Sequence, residues 1–167
     1  MDEIVERTSP HFSPRENGVV NAIVIHDTGG KTAKGTLDWF SSLTSKVSSH
    51  YLIGKDGTVY RCVDEVNKAW HAGTSELWQD SNVNEYSIGI ELVDDNDNDP
   101  YIEEQMSSLI ELCTDLCHRY RIPLHRVVGH EHIAIPKGRK TDPGFDFPWF
   151  EFLNTLGARV CEIGMKE

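Results

Sequence analysis

The sequence predicts an α/β fold: a single domain with a mixed central β-sheet flanked by helices. β-rich runs at residues 19–26, 86–93 and 126–130 alternate with helical patterns, and a hairpin signal lies between the first two runs. No linker or internal repeat divides the 167 residues, a length that buries roughly two-thirds of the unfolded surface in one core. We expect an N-terminal arm at 1–18, the domain proper at 19–160 and a short tail at 161–167.

Residues 1–18 are polar and carry Pro10, Pro14 and Gly18, the composition of a leading arm. The run VVNAIVIH at 19–26 reads as a buried strand, stopped by the flexible DTGGK, so that His26 falls at a strand end. Thr36 is the expected N-cap of a short helix, TLDWFSSL, with Leu37, Phe40 and Leu43 inward. Two β-rich runs around Gly54 and Gly57 predict a hairpin over 49–63. Residues 67–85, rich in Trp, His, Ser and Asn without periodicity, read as loop, where function concentrates.

In the strand YSIGIELV, alternation sets Ile88, Ile90 and Leu92 on one face and Gly89, Glu91 and Val93 on the other. Glu91 is then a carboxylate on an apolar strand and calls for an explanation. Asp99 as N-cap and Pro100 at the first helical position predict the start of a long amphipathic helix. Its inner stripe comprises Ile102, Met106, Leu109, Cys113, Leu116 and Tyr120, and Pro123 lies beyond its end. A short strand then ends at His130, a Pro/Gly/Lys-rich loop carries Asp142, and PWFEFLNTLGARV closes the chain as a helix.

Composition narrows the functions. With 38% hydrophobic and 26% charged residues the chain is an ordinary globular protein. A formal charge of −11 without a basic stripe argues against nucleic acid and stable membrane association. The N-terminus MDEIVERTSPHF lacks the pattern of an export signal, so we expect a protein that is cytoplasmic as synthesised, and a monomer. Cys62, Cys113, Cys117 and Cys161 form no CxxC pair and read as free thiols. The run DDNDNDP fails as a calcium loop because Pro100 stands where glycine is required, and HEH at 130–132 is not HExxH.

Two strand-terminal histidines, His26 and His130, and Asp142 supply the donor types of a catalytic zinc site, which takes three protein ligands and keeps one position open. Spread so widely along the chain, they are weak evidence alone. The surrounding segments IVIHDTGG, SSHYLIGKDGTVYRCV, AWHAG, YSIGIEL, VVGHEHIAIPKGRKTDPG and FPWF add specificity. Together, in this order, they resemble the type 2 N-acetylmuramoyl-L-alanine amidase family, which includes phage endolysins and peptidoglycan recognition proteins.

The resemblance implies one zinc ion per chain held by His26, His130 and Asp142, with His132 a decoy two residues on. It implies Glu91 as general base and Lys140 as the stabiliser of the transition state. The reaction implied is hydrolysis of the amide between the muramic acid lactyl group and L-alanine in peptidoglycan or muropeptides. Tyr51, Trp70, His71 and Arg139 are expected to contact substrate. The segment between His130 and Lys140 is longer than the family's intracellular pattern, which bears on where Lys140 and Arg139 fall. A non-catalytic peptidoglycan-binding module is the alternative function, and a recycling enzyme and a phage endolysin are both open as settings.

Overall fold

The computed structural model describes residues 4–94 and 100–164. Its centre is a six-stranded sheet whose strands are β1 (Val5–Glu6), β3 (Ala22–Asp27), β4 (Tyr51–Ile53), β5 (Val59–Arg61), β9 (Ser87–Leu92) and β10 (Val127–Gly129), in the spatial order β1-β5-β4-β9-β3-β10. Every pairing is parallel except the β4–β5 hairpin, so the sheet is mixed, as expected.

Period-two alternation gives this sheet two different faces. Ile23 and Ile25 of β3, Ile88, Ile90 and Leu92 of β9, and Tyr51 and Ile53 of β4 point to one side. There they meet Leu109, Leu112, Cys113 and Leu116 of the helix α2 (Glu103–Tyr120) and Phe152 and Leu156 of α4 (Trp149–Gly164). The other face carries Ala22, Val24, His26, Leu52 and the small or polar Ser87, Gly89 and Glu91. It is covered by the helix α1 (Ala33–Ser41) through Phe40, and by Ala72, Leu77, Val83 and Ile133. α3 (His130–Ile133) is a single turn.

Several expectations are corrected. α1 starts earlier than Thr36: Thr32 is its N-cap, its hydroxyl accepting from the Gly35 N–H at 3.2 Å, and Gly35 is accommodated within the first turn. Leu43 lies past the end of α1 and is 80% exposed. α2 begins at Glu103 with Ile102 as its extended N-cap. Asp99, like the rest of the rejected calcium run at 95–98, lies outside the described residues, and Pro100 precedes the helix. α4 continues through 161–164, part of the expected tail.

The leading segment is built into the domain. β1 extends the main sheet beside β5, and β2 (Phe12–Pro14) pairs antiparallel with β6 (Asn67–Ala69). Residues 67–85, expected to be loop, thus contain β6, a small ladder of β7 (Glu76–Leu77) with β8 (Asp80–Ser81), and a 3-10 turn at Val83–Glu85. The four cysteines are free; Cys62, Cys113 and Cys117 are buried and Cys161 is exposed.

Two buried polar residues of this frame, Glu65 and His50, are paired with neighbouring side chains. Glu65 receives the Tyr51 hydroxyl, the Tyr120 hydroxyl at 2.5 Å and the Arg119 guanidinium at 2.6 and 2.8 Å. Burial opposes its charge, but the hydrogen bonds from Arg119 and the two tyrosines win and hold its carboxyl at about 2. His50, buried and beside Arg15, is pushed down to about 3 by burial and by that guanidinium.

Both shifts have the same sign for stability, since each depressed group binds fewer protons folded than unfolded. We expect stability to fall on acidification, first from about pH 6.5 as unfolded chains protonate His50, then from about 4.5 toward 2 through Glu65. Glu65→Gln removes hydrogen bonds to a charged group, a loss of about 2 kcal/mol at pH 7. Urea unfolding across pH will show this as a lower neutral-pH midpoint and a flatter profile below pH 4.5.

Candidate metal centre

Three neighbouring parallel strands, β9, β3 and β10, end at one edge of the sheet. The register places His26 of β3 opposite Glu91 of β9, and Gly129 of β10 opposite Ile25, so that His130 leaves the sheet level with His26. This is the carboxyl edge of parallel strands, where α/β proteins generally bind ligands.

Asp142 arrives from the following loop. Its carbonyl accepts the Glu131 N–H at 3.0 Å, and the next residue's carbonyl, Pro143, accepts the Tyr101 hydroxyl at 2.7 Å. Gly129 permits the approach, because a Cβ there would lie 2.8 Å from Pro143 Cδ.

His26 Nδ1, His130 Nδ1 and Asp142 Oδ2 form a triangle with edges of 3.1, 3.0 and 3.0 Å. Donor atoms bound tetrahedrally to one zinc at ~2.0–2.2 Å lie ~3.3–3.6 Å apart, so these edges are only a few tenths of an ångström tighter. Both histidines are buried. His130 Nε2 faces the Ala72 carbonyl at 3.0 Å and donates to it, which leaves Nδ1 of the neutral ring as a lone pair aimed at the Asp142 carboxylate. Acceptors crowded together in a buried space repel one another until a cation joins them. The donor set therefore fits a metal ion, and His26, His130 and Asp142 can hold one.

Electrostatics agree with this arrangement. Burial lowers His26 to about 4, so that the ring is neutral, the form that ligates. Glu91 goes the other way: burial first, then Asp142 and Asp27, push its carboxyl well above the usual value, while Lys140 pulls it down. Glu91 Oε2 is buried without a hydrogen-bond partner. An orphaned buried oxygen beside an open cleft is the explanation this carboxylate called for: it is aimed at something other than protein.

The cleft above the triangle has a volume of about 420 Å³. Glu91 and Lys140 line it beside the ligands, and Trp39, Val47 and Trp70 stand along its walls. Trp39 was not singled out from the sequence, although a tryptophan off the apolar stripe of a short helix, here 53% exposed, is a legible signal.

The expected substrate-contacting residues separate. Trp70 lines the cleft, with its indole N–H on Ser13 Oγ at 3.3 Å and its ring against His11. His71 also borders it but is buried, with its nitrogens directed at His26 and Ser87. Tyr51 is corrected: it points to the opposite face of the sheet with Ile53, 2% exposed, its hydroxyl on Glu65. Arg139 is corrected as well, because its guanidinium is spent on the backbone carbonyls of Thr74 (2.7 Å) and Ala72 (3.2 Å), with Nε on Ile135 (2.9 Å). His132 accepts the Gly129 N–H at 2.9 Å and packs edge-on against Trp149, apart from the triangle.

Metal-ligating groups with a carboxylate and a lysine in an open cleft make the inventory of a metal-assisted hydrolase. The pattern of the N-acetylmuramoyl-L-alanine amidase family matches residues 16–145. The chain belongs to that family. It is 35% identical to the 1,6-anhydro-N-acetylmuramyl-L-alanine amidase AmpD of Haemophilus influenzae, over 89% of each chain. It is 36% identical to the N-acetylmuramoyl-L-alanine amidase AmiD of Escherichia coli, over 78% of this chain and 51% of that one. Among solved structures, a selenomethionine AmpD superposes with a TM-score of 0.76 at 30% identity, covering 93% of this chain and 95% of the other. AmiD from E. coli in complex with anhydro-N-acetylmuramic acid-L-Ala-D-gamma-Glu-L-Lys gives 0.74 at 32%, covering 86% and 58%.

Metal-stripped protein is expected to take up one zinc per chain in equilibrium dialysis, and Asp142→Ala to retain far less. An unchanged zinc content in Asp142→Ala would place the metal elsewhere.

Proposed function

We propose that this chain is a zinc-dependent amidase that cleaves the lactyl–L-alanine amide of soluble anhydro-muropeptides. The observation that carries the reading is the acceptor triangle of His26, His130 and Asp142 with the orphaned Glu91 oxygen beside it. The choice of substrate is supported by the relatives that match over most of both chains, whose names specify the 1,6-anhydro sugar, and by the AmiD complex with such a substrate.

Zinc at this position supplies Lewis acidity, lowering the pKa of water from 15.7 toward ~7 and polarising a carbonyl. Glu91 takes the proton from the attacking water as its oxygen bonds to the lactyl carbonyl carbon. Its elevated pKa makes it a stronger base than an ordinary carboxylate, provided the nearby cations keep it ionised. Lys140 faces the negative charge that grows on the carbonyl oxygen, the task of an oxyanion site. When the carbon–nitrogen bond breaks, Glu91 returns its proton to the alanine nitrogen, so the products are a lactyl carboxylic acid and a free amine, which then ionise to carboxylate and ammonium. Trp39 and Trp70 offer flat apolar faces on which sugar or peptide packs.

The endolysin setting rests on less. The neighbouring endolysin structure from Clostridium intestinale is 25% identical, and that of PlyL, at 16%, speaks only to the fold.

Glu91→Gln should keep its zinc and lose about 10²–10⁴-fold in kcat, because it removes the proton acceptor and leaves the ligands. Wild-type turnover on a soluble anhydro-muropeptide is expected to exceed that on intact sacculi at equal muramoyl-alanine concentration. Faster release from sacculi would favour the lytic setting, and a fully active Glu91→Gln would remove the base from the mechanism.

A further inference from the structure

Proton positions along one hydrogen-bond chain behind the metal centre follow from counting donors. Ser87 Oγ lies 2.7 Å from the Val83 carbonyl, which only accepts, so the single hydroxyl proton points there. Toward His71 Nε2, at 3.2 Å, Ser87 must then act as acceptor, and His71 carries its proton on Nε2. Among the described residues, the hydrogen-bond and ring partners of His71 are two imidazoles and a hydroxyl, with Gly89 beneath the ring, and none of these is a carboxylate that would support a second proton. Its Nδ1 is therefore a bare lone pair, 3.0 Å from His26 Nε2, and His26 must donate to it. That leaves Nδ1 of His26 unprotonated, facing His130 Nδ1 and Asp142 Oδ2.

We propose that His71, braced by Ser87, is a positioning residue that locks His26 in the Nε2–H tautomer and so aims its Nδ1 lone pair at the metal. The proposal rests on the metal-centre reading above and adds a part to it. Ligating histidines usually fix their tautomer on a carboxylate or a carbonyl. His130 does so on the Ala72 carbonyl, whereas His26 uses a second imidazole, which is itself oriented from behind.

Adjacent residues thus serve both ligands, His71 through its side chain and Ala72 through its carbonyl. Their own N–H groups are pinned together on Asn84 Oδ1, at 3.2 and 2.8 Å. The sheet is shaped to receive His71: a Cβ on Gly89 would lie 2.5 Å from its Cγ, so only glycine lets the ring rest on β9 between Ser87 and Glu91. The chain Val83–Ser87–His71–His26 is buried throughout, which protects its proton order from exchange with water.

The test has two readouts that do not use turnover. In metal-free full-length protein, nitrogen-15 NMR of the imidazoles is expected to show His26 and His71 each protonated at Nε2 alone. Chelator competition should then show zinc affinity about 10–100-fold weaker in His71→Phe than in wild type. His71→Asn, whose amide oxygen stands where Nδ1 stood, should recover most of that loss; bulk packing alone would favour Phe. Should His71→Phe not fold, Ser87→Ala serves instead: it frees the His71 tautomer, and mixed protonation at His26 is expected. Wild-type His26 protonated at Nδ1 overturns the proposal, as does undiminished zinc affinity in His71→Phe. A wild type that binds no zinc would instead sink the metal centre itself, while the NMR result still decides the proton order.

Discussion

The constraint on which the rest of this molecule depends is that β9, β3 and β10 run parallel and stop at the same edge. Parallel pairing brings residues far apart in sequence to one level, and it sets Glu91, His26 and His130 side by side without any local motif. A slip of one residue in β3 would turn His26 into the apolar face and Ile25 toward the cleft. The triangle is thus as strongly specified as the hydrophobic pattern of the core, because Ile23, Ile25, Ile88 and Ile90 fix the same register from the other side.

Burying so much polarity on one face has a cost, and the two faces divide it. Beneath the sheet, α2 and α4 cover a nearly continuous apolar layer, with the Glu65 cluster at its margin holding its charge by direct pairing. Above it, His26, His50, His71, Ser87 and Glu91 lie among few aliphatic side chains. Unpaired, such groups cost on the order of 1–3 kcal/mol each. Most are paired by one another or by main chain; Glu91 Oε2 is the exception in this group, and the three converging acceptors of the triangle remain in mutual repulsion. Polarity left uncompensated inside an otherwise satisfied network marks where a bound ion and a substrate enter.

Local pattern was enough for much of this. Alternation in residues 86–93 separated Glu91 from the isoleucines, the hairpin followed from its glycines, and the strand-terminal positions of both histidines followed from where the β-branched runs stop. Tyr51 shows where resemblance misleads: alternation along β4 sets it beside Ile53 on the face away from the cleft. Early polar segments failed for another reason. β1 and β2 are two and three residues long and are held by partners at 60–61 and 67–69, so no periodicity exists to reveal them. The role of Ser87 as acceptor depends on Val83 four residues earlier and on His71 across a turn, a relation that appears only in three dimensions.

The segment after His130 is anchored at both of its ends. Residues 135–140 are exposed, and the chain turns outward there, with the Arg139 N–H returning to the Pro136 carbonyl. The Arg139 guanidinium ties the end of this excursion to the Ala72 and Thr74 carbonyls, and the Ile135 N–H ties its start to Thr74. Both ends of the excursion are therefore clamped to one strip of backbone, whose Ala72 carbonyl also receives His130 Nε2. With the excursion closed off in this way, Lys140 and Asp142 leave the clamp at a fixed place, and Lys140 lines the cleft with Glu91. Arg139 thus bears on the chemistry from outside the cleft, by holding the carbonyl that His130 needs and the loop from which Lys140 projects.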